Sequence, residues 1–162
     1  FGLGRIGSTV ATLALGLGMK VIANNRSSKT MEGVEMASKE EVLKRADVIS
    51  INVTSGSDTE KFISKKELDL MKPTAILINV DQSKQVDTEA IYQALKEKRI
   101  AGAGLDQVAG LTKDHPMLKL DNVVFTPHAG SSTNESFREN LPELVVSAVE
   151  EFIKGSPKNL VN

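Results

Sequence analysis

Residues 1–7 read FGLGRIG, a glycine-rich turn that opens a helical pattern and leads on to a short apolar strand. Gly2 allows a tight turn, Gly4 lets the backbone approach a pyrophosphate, and Gly7 lets the helix pack close to a sheet. The helix N terminus adds N–H groups and the positive end of its dipole. The motif alone is weak evidence, but this context favours nucleotide binding over a merely glycine-tolerant turn.

Apolar runs typical of strands alternate with helical patterns along the rest of the chain. The first helix can end at Gly18, and one of its faces is apolar, with Ile6, Val10, Leu13, Ala14 and Leu17. Strands are predicted at 19–24, 47–53, 74–80, 101–106 and 122–125. Further helices are predicted at about 39–45, 64–71, 87–98 and from Ser131 or Ser132, with Glu135 completing a capping box, to about Lys154. This alternation predicts an α/β fold, a doubly wound parallel sheet of the Rossmann type.

The strand that normally precedes such a glycine turn is reduced to Phe1, and it would be the central strand of the sheet. We therefore expect residues 1–162 to form one dinucleotide-binding domain that is a fragment. Its first strand and a substrate domain are expected before residue 1.

Composition excludes several classes of function. The formal net charge is −1, so no overall field attracts nucleic acid or an anionic membrane. The chain has no cysteine, which excludes disulfides, thiolate metal sites and a cysteine nucleophile. No apolar run approaches the roughly 18 residues of a membrane span, and the opening residues lack the pattern of a signal peptide. We expect a cytoplasmic protein with no metal site and with neither nucleic acid nor membrane as a partner.

The loop after the second predicted strand, VIANNRSSK (21–29), lacks the acid that usually follows a glycine turn by about twenty residues. That acid accepts hydrogen bonds from the ribose hydroxyls and would repel a 2′-phosphate. Asn25 removes the negative charge, Arg26 offers a planar fork suited to phosphate, and Ser27, Ser28 and Lys29 add donors. The sequence predicts an NADP(H) site, with NAD possible; the alternative is a solvated loop that happens to be basic.

Several stretches in order resemble the D-isomer-specific 2-hydroxyacid dehydrogenases, which include glyoxylate/hydroxypyruvate reductases and 3-phosphoglycerate dehydrogenases. They are FGLGRIG, GLGMKVIANNR, ADVISINVT, LDLMKPTAILINV, VDTEAIYQALKEKRIAGAGLD, DHPMLKLDNVVFTPHAGSST and PKNLVN. The resemblance covers the nucleotide-binding domain and the C-terminal end. Members with an Asn-Arg-Ser type sequence after the second strand are similar to the NADP-preferring branch, which agrees with the charge argument.

The resemblance implies hydride transfer between the nicotinamide and the 2-carbon of a small 2-hydroxy or 2-keto acid. In the family an arginine holds the substrate, a histidine exchanges the proton and a glutamate holds that histidine. His128 matches the histidine, Asp106 matches an aspartate that contacts the nicotinamide carboxamide, and His115 matches a non-catalytic position. The implied cofactor-binding residues are Gly2, Gly4, Arg5, Ile6, Gly7, Asn25, Arg26, Ser27, Val53, Thr54, Asp106, His128 and Gly130.

Two positions depart from the family pattern. Gln82 stands where relatives have the arginine, and a glutamine cannot neutralise a carboxylate or grip it with two parallel bonds. After Asp106 the chain has no acid before Asp114, so the glutamate is missing as well. Lys84 or a residue before Phe1 could supply the cation, and Lys84 could also be a solvated loop charge.

Two functions therefore stay open. The first is the NADP(H)-binding domain of a 2-hydroxyacid dehydrogenase-like oxidoreductase with altered catalytic positions. The second is an inactive dinucleotide-binding relative that acts as a redox sensor or scaffold. Because relatives pair through this domain, a homodimer is also expected.

Overall fold

The computed structural model describes residues 1–130, 133 and 141–156. The chain divides into two compact units, Phe1–Pro127 and His128–Asn162. In the second unit, the described part of the last helix, α5, is Leu141–Ile153. The predicted start of this helix at Ser131 or Ser132, and its capping box with Glu135, lie outside the described residues.

Strands and helices alternate along the first unit. The strands are β1 (Val21–Ala23), β2 (Val34–Met36), β3 (Val48–Ile51), β4 (Ile76–Asn79), β5 (Gly102–Leu105) and β6 (Val123–Phe125). The helices are α1 (Arg5–Gly16), α2 (Lys39–Arg45), α3 (Lys65–Leu70) and α4 (Thr88–Lys96), with short 3₁₀ turns at Ser57–Thr59, Ser83–Gln85 and Pro116–Lys119.

All the strand pairs are parallel, as predicted. One pair is β1–β2, and the other four strands lie in the order β3–β4–β5–β6. Leu77 on β4 is in register with Ile49 on β3 and with Ala103 on β5. Parallel strands need crossover connections, and α3 supplies the one between β3 and β4 while α4 supplies the one between β4 and β5. The predicted α/β fold of the Rossmann type, a parallel sheet with flanking helices, is confirmed.

Phe1 and Gly2 lie between β1 and β3. The Phe1 amino group donates to the Ser50 carbonyl at 2.6 Å, and the Phe1 carbonyl accepts from Asn52 N at 2.8 Å. Gly2 N donates to the Asn24 carbonyl at 2.9 Å. Within the described residues, these two are the only chain between β1 and β3, where the sequence predicts a central strand.

The main apolar core lies around β3, β4 and β5. Its fully buried side chains include Leu43, Ile49, Ile51, Leu68, Leu77, Ile91 and Leu95. A smaller cluster of Leu3, Ala11 and Ala23 joins α1 to β1.

Helix α1 does not bury the apolar face that its sequence suggests. Gly7 and Ala11 are its buried residues, whereas Ile6 is 65%, Leu13 64% and Leu17 80% exposed. Small residues let the helix approach the sheet closely, so the long apolar side chains point outward. Gly18, at φ +77°, follows the end of the helix as predicted.

The strands and helices predicted for the first unit are all found, and most are two or three residues shorter than expected, while α2 has the predicted bounds. The sequence did not predict β2 or the three 3₁₀ turns. No helix in the described part of the chain is long and apolar enough to cross a membrane.

Candidate functional site

The glycine turn is held by close backbone contacts. A side chain at Gly2, which has φ +85°, would overlap the Asn52 carbonyl, and one at Gly7 would overlap the Gly2 carbonyl. At Gly4 an added Cβ would meet nothing within 4 Å. Two glycines are therefore required by packing, while Gly4 borders open space.

Gly4 is also the N-cap of α1. No side chain caps this helix end, and its first turn contains no acidic residue. The N–H groups and the positive dipole end of a twelve-residue helix are thus available at the turn. This arrangement can accept an anionic group beside Gly4.

A pocket of about 480 Å³ opens beside the glycine turn. Three segments line it: the turn itself, the loop after β1, and the chain that follows β3. Its lining residues are Gly2, Leu3, Gly4, Asn24, Asn25, Arg26, Ser27, Lys29, Asn52, Val53, Thr54, Asp58, Thr59 and Phe62. The pocket lies at the carboxyl ends of β1 and β3, where parallel α/β sheets bind ligands.

The loop after β1 is tied to the glycine turn by Asn25. The Asn25 side-chain oxygen accepts from Leu3 N at 3.0 Å, and its amide nitrogen donates to Ser27 Oγ at 2.8 Å. The sequence placed Asn25 at the ribose position as a neutral substitute for an acid. In the structure its side chain also fixes the shape of the loop.

The cations of this loop lie at the pocket wall. Lys29 Nζ donates to Ser8 Oγ at 3.2 Å, next to the N terminus of α1. Arg26 Nη1 lies 2.8 Å from the Asp58 carboxylate, which comes from the 3₁₀ turn after β3. The sequence reasoning did not identify Asp58, which is 32 positions from Arg26 and belongs to no motif.

The pocket has features that fit a nicotinamide dinucleotide. Open space beside Gly4, an uncapped helix N terminus and two pocket-lining cations match the anionic phosphates of such a molecule. Of the predicted cofactor-binding residues, the pocket brings together Gly2, Gly4, Asn25, Arg26, Ser27, Val53 and Thr54. Arg5, Ile6 and Gly7 form the first turn of α1.

The loop after β4 is closed by its own hydrogen bonds. Asn79 is fully buried; its amide nitrogen donates to the Gln82 carbonyl at 3.1 Å, and its oxygen accepts from Asp81 N at 3.2 Å. The Gln82 side chain is exposed and does not line the pocket. Lys84 is exposed on the following 3₁₀ turn.

Gln85 connects this loop to the pocket wall. Its side chain is buried, and Nε2 donates to the Val53 carbonyl at 2.7 Å and to the Asp81 carboxylate at 3.2 Å. Within the described residues its Oε1 has no hydrogen-bond partner. The sequence reasoning did not identify Gln85, because a polar residue on a short turn gives no sign of burial.

Asp106 lies at the carboxyl end of β5 and is 3% exposed. Its backbone N–H donates to the Asn79 carbonyl at 2.9 Å, and its carboxylate accepts from the Thr126 hydroxyl. Asp106 does not line the pocket. It is a buried acid whose backbone continues the pairing of β5 with the last residue of β4.

The two histidines have different surroundings. His115 Nδ1 accepts from Met117 N at 3.2 Å, and its ring packs edge-on against Tyr92 at 5.5 Å, which fits a structural role. His128 and Gly130 belong to the second unit, where both are exposed and His128 has φ +56°. In the described residues no group of three potential ligands could hold a metal ion.

Comparisons with known proteins agree with this geometry. The model of the D-isomer specific 2-hydroxyacid dehydrogenase NAD binding domain matches residues 1–130. Glyoxylate reductase of Thermococcus litoralis is 45% identical over 171 residues, which cover 99% of this chain and 50% of the relative. Glyoxylate reductase of Korarchaeum cryptofilum is 42% identical over 168 residues, with the same coverage. The chain spans about half the length of the curated relatives it matches.

Solved structures give the same result. An acyclic imino acid reductase (Bsp5) in complex with NADPH and D-Arg superposes with a TM-score of 0.93 at 38% identity, covering 99% of this chain and 52% of the other. The NAD complex of a D-isomer specific 2-hydroxyacid dehydrogenase from Lactobacillus delbrueckii ssp. bulgaricus gives 0.90 at 34% identity, covering 99% and 54%. One of these neighbours was solved with NADPH and the other with NAD.

Proposed function

This chain belongs to the D-isomer-specific 2-hydroxyacid dehydrogenase family, as its NAD-binding domain, and we propose that it serves an oxidoreductase that prefers NADP(H). The observation that carries the preference is Arg26 at the wall of the pocket, on a loop without a carboxylate. A guanidinium can hold a 2′-phosphate through charge-assisted hydrogen bonds. The NADPH complex of the imino acid reductase neighbour supports this assignment.

Each part of the pocket has a proposed role toward the cofactor. Gly4 and the N terminus of α1 hold the pyrophosphate, and Arg26, with Ser27 and Lys29 beside it, holds the 2′-phosphate. Val53 and Thr54 form the wall after β3. The bound nicotinamide supplies or accepts a hydride. The reaction proposed by family membership is the interconversion of a small 2-keto acid and its 2-hydroxy acid.

The substrate side of the reaction rests on residues outside the pocket. His128 gives the proton to the carbonyl oxygen during reduction. Gln82 hydrogen-bonds the substrate but leaves its carboxylate without a matching charge. Asp106, at the carboxyl end of β5, would hold the nicotinamide carboxamide. With Gln82 in place of a cation, the reduction of a keto acid is expected to be slow, because the developing oxyanion lacks a charged donor.

An imino acid is a second substrate class to test, since one structural neighbour is described as an imino acid reductase. A protonated imine already carries its proton and its positive charge. Its reduction therefore demands less of His128 and of the residue at position 82. A 2-keto acid mixed with ammonia supplies such a substrate in the same assay.

The second candidate function is a relative without turnover that binds the dinucleotide as a redox sensor or scaffold. The exposed Gln82 and the lack of an acid between Asp106 and Asp114 favour it. It predicts NADPH binding without NADPH oxidation, whatever 2-keto or imino acid is added.

We propose that a longer protein contains this domain, with its central strand and substrate domain before residue 1. The buried Phe1 between β1 and β3, and the half-length coverage of the relatives, support this.

A homodimer is also proposed, because α1 exposes Ile6, Leu13 and Leu17 together. The molecular mass of the full-length protein in solution tests the dimer. A cytoplasmic location stays a prediction.

The experiment that tests the cofactor assignment measures NADPH and NADH dissociation constants for the full-length protein. We expect about a ten- to hundredfold preference for NADPH, the range given by a charge-assisted hydrogen bond. Arg26→Ala is expected to remove most of this preference. Arg45→Ala is the matched control, because Arg45 is an exposed arginine on α2 that pairs with Glu35 away from the pocket. Equal affinities in the unmodified protein would contradict the proposal.

A further inference from the structure

One ion pair spans the pocket. Arg26 comes from the loop after β1 and Asp58 from the 3₁₀ turn after β3, and both line the cavity. Arg26 Nη1 and Asp58 Oδ2 are 2.8 Å apart. The carboxylate that the loop after β1 lacks is therefore present in the pocket, but it comes from another segment.

The turn that carries Asp58 is fixed by its own hydrogen bonds. Thr59 Oγ1 accepts from Gly56 N at 2.9 Å and donates to the Thr54 carbonyl at 2.9 Å. Thr59 N donates to the Gly56 carbonyl at 3.1 Å. These bonds connect Asp58 to Thr54, which also lines the pocket. Asp58 is thus held at the pocket while Arg26 reaches it on a long side chain.

The pair is suited to exchange its partners. The Arg26 side chain is 85% exposed and the Asp58 side chain 58% exposed. Exposed ion pairs contribute little to stability, so Arg26 can leave Asp58 at small cost. A phosphate group offers the guanidinium a stronger, bidentate partner than a solvated carboxylate does.

We propose that Asp58 sets the balance between the two nicotinamide cofactors, an inference that rests on the proposed function of this pocket. With an unphosphorylated ribose, Asp58 stays beside Arg26 and accepts a hydrogen bond from the 2′-hydroxyl. With a 2′-phosphate, Arg26 turns from Asp58 to the phosphate, and the carboxylate then opposes the bound dianion. Asp58 permits NAD and limits the preference for NADP.

The test measures the binding of two probes, 2′,5′-ADP and 5′-ADP, to the full-length protein by calorimetry. Asp58→Asn keeps the size of the side chain and removes its charge. The ratio of the two dissociation constants is expected to move about three- to tenfold in favour of 2′,5′-ADP, as loss of an exposed ion pair and of its repulsion toward phosphate implies. Glu60→Gln, an exposed acid two residues further on, is the charge-matched control and is expected to leave the ratio within about twofold.

A second measurement separates exchange from a general charge effect. In an Arg26→Ala background, the part of the Asp58→Asn effect that comes from releasing the guanidinium is expected to disappear, so the change in 2′,5′-ADP affinity becomes smaller and reflects only the repulsion between the carboxylate and the phosphate. An unchanged ratio in Asp58→Asn, or an equal change in Glu60→Gln, overturns the proposal. If the Asp58 proposal fails in this way but the unmodified protein binds NADPH and NADH, the proposed function still stands. If it binds neither dinucleotide nor either probe, both fail.

Discussion

The pocket beside the glycine turn and the loop after β4 differ in how much open space their polar groups border. In the pocket, backbone at Gly4 and side chains such as Arg26 and Lys29 border open space. In the loop, Asn79 and Asp81 bond to the loop itself, and Gln85 bonds to Asp81 and to the Val53 carbonyl. The first region is built to receive a ligand, and the second already satisfies most of its own donors and acceptors.

This difference corresponds to two proposed roles, cofactor binding in the pocket and substrate contact in the loop after β4. Pocket shape depends on backbone that glycines allow to come close, so it survives changes in nearby side chains. The loop after β4 depends on side chains, and those of Asn79, Asp81 and Gln85 form hydrogen bonds within the chain. A family can therefore keep its cofactor site while the residues that would act on a substrate diverge.

The largest effect on stability and NADPH binding is expected from a substitution at Gly7. In Gly7→Ala the added methyl group overlaps the Gly2 carbonyl, which is fixed backbone. We expect a loss of about 3 kcal/mol or more in the free energy of unfolding, together with loss of NADPH binding. Denaturant unfolding and an NADPH titration of the full-length protein measure both.

Gly4→Ala is the matched control for that change. Its methyl group enters the open space of the pocket, so the unfolding free energy is expected to fall by no more than about 1 kcal/mol. NADPH affinity is expected to fall with it, because the methyl group occupies the place given to the pyrophosphate. Normal stability in Gly7→Ala, or normal NADPH affinity in Gly4→Ala, would show that the turn is not the rigid part of the site.

An intermediate effect is expected from Gln82→Arg in the closed loop. The guanidinium provides a charge for the substrate carboxylate and a charged donor for the carbonyl in the transition state. We expect kcat/KM for glyoxylate to rise about tenfold or more, while NADPH affinity stays nearly unchanged. Steady-state kinetics and an NADPH titration separate these two quantities.

Gln93→Arg adds the same charge on α4, away from the loop, and is expected to change neither quantity. If Gln82→Arg gives no gain and the unmodified protein already reduces glyoxylate rapidly, another residue carries the arginine's role. The proposal that the loop after β4 lacks a catalytic cation would then be wrong.

The smallest effect concerns Asp87, which follows the closed loop. It caps α4 by accepting from the N–H groups of Glu89 and Ala90, both at 3.1 Å, and it pairs with Lys61. The hydrogen bond from Lys61, followed by that from Ala90 N, lowers the pKa of Asp87. Asp87→Ala is expected to cost about 1 kcal/mol in unfolding free energy at neutral pH.

The sign of the pH dependence follows from that lowered pKa. The unfolded state takes up the proton first, so the contribution of Asp87 is complete above about pH 4 and disappears as the pH falls through its folded value. Denaturant unfolding at pH 7 and pH 3 measures it against Asp69→Ala, which removes an exposed acid from α3. An equal cost of Asp87→Ala at both pH values would show that its charge plays no part.

Much of the fold could be predicted because the signals are local. Val42, Leu43 and Ala46 predict a helix at 39–45, and α2 is Lys39–Arg45. The apolar run at 74–80 predicts a strand covered on both faces; β4 pairs with β3 and β5, but within β4 only Leu77 and Asn79 are buried, whereas Ile76 is 39% exposed. The glycine turn and Arg26 could also be associated from sequence, since motif spacing fixes both.

What could not be predicted depends on contacts between distant segments. Asp58 reaches Arg26 only because the carboxyl ends of strands β1 and β3 meet at one pocket. β2 is three residues long and carries the exposed Glu35, so it lacks the apolar pattern of a strand. On α1, periodicity identified the apolar face, but close packing by Gly7 and Ala11 turned that face outward.

The position of Phe1 has a practical consequence for anyone who prepares residues 1–162. Of the residues that the structure describes, only Phe1 and Gly2 lie between β1 and β3, so the facing sides of these strands present two neighbouring strand edges. Unprotected edges of this kind promote aggregation and the exchange of strands between molecules. A sample with a peptide of alternating apolar residues fused ahead of Phe1 is therefore expected to stay dispersed at concentrations where the bare chain forms aggregates.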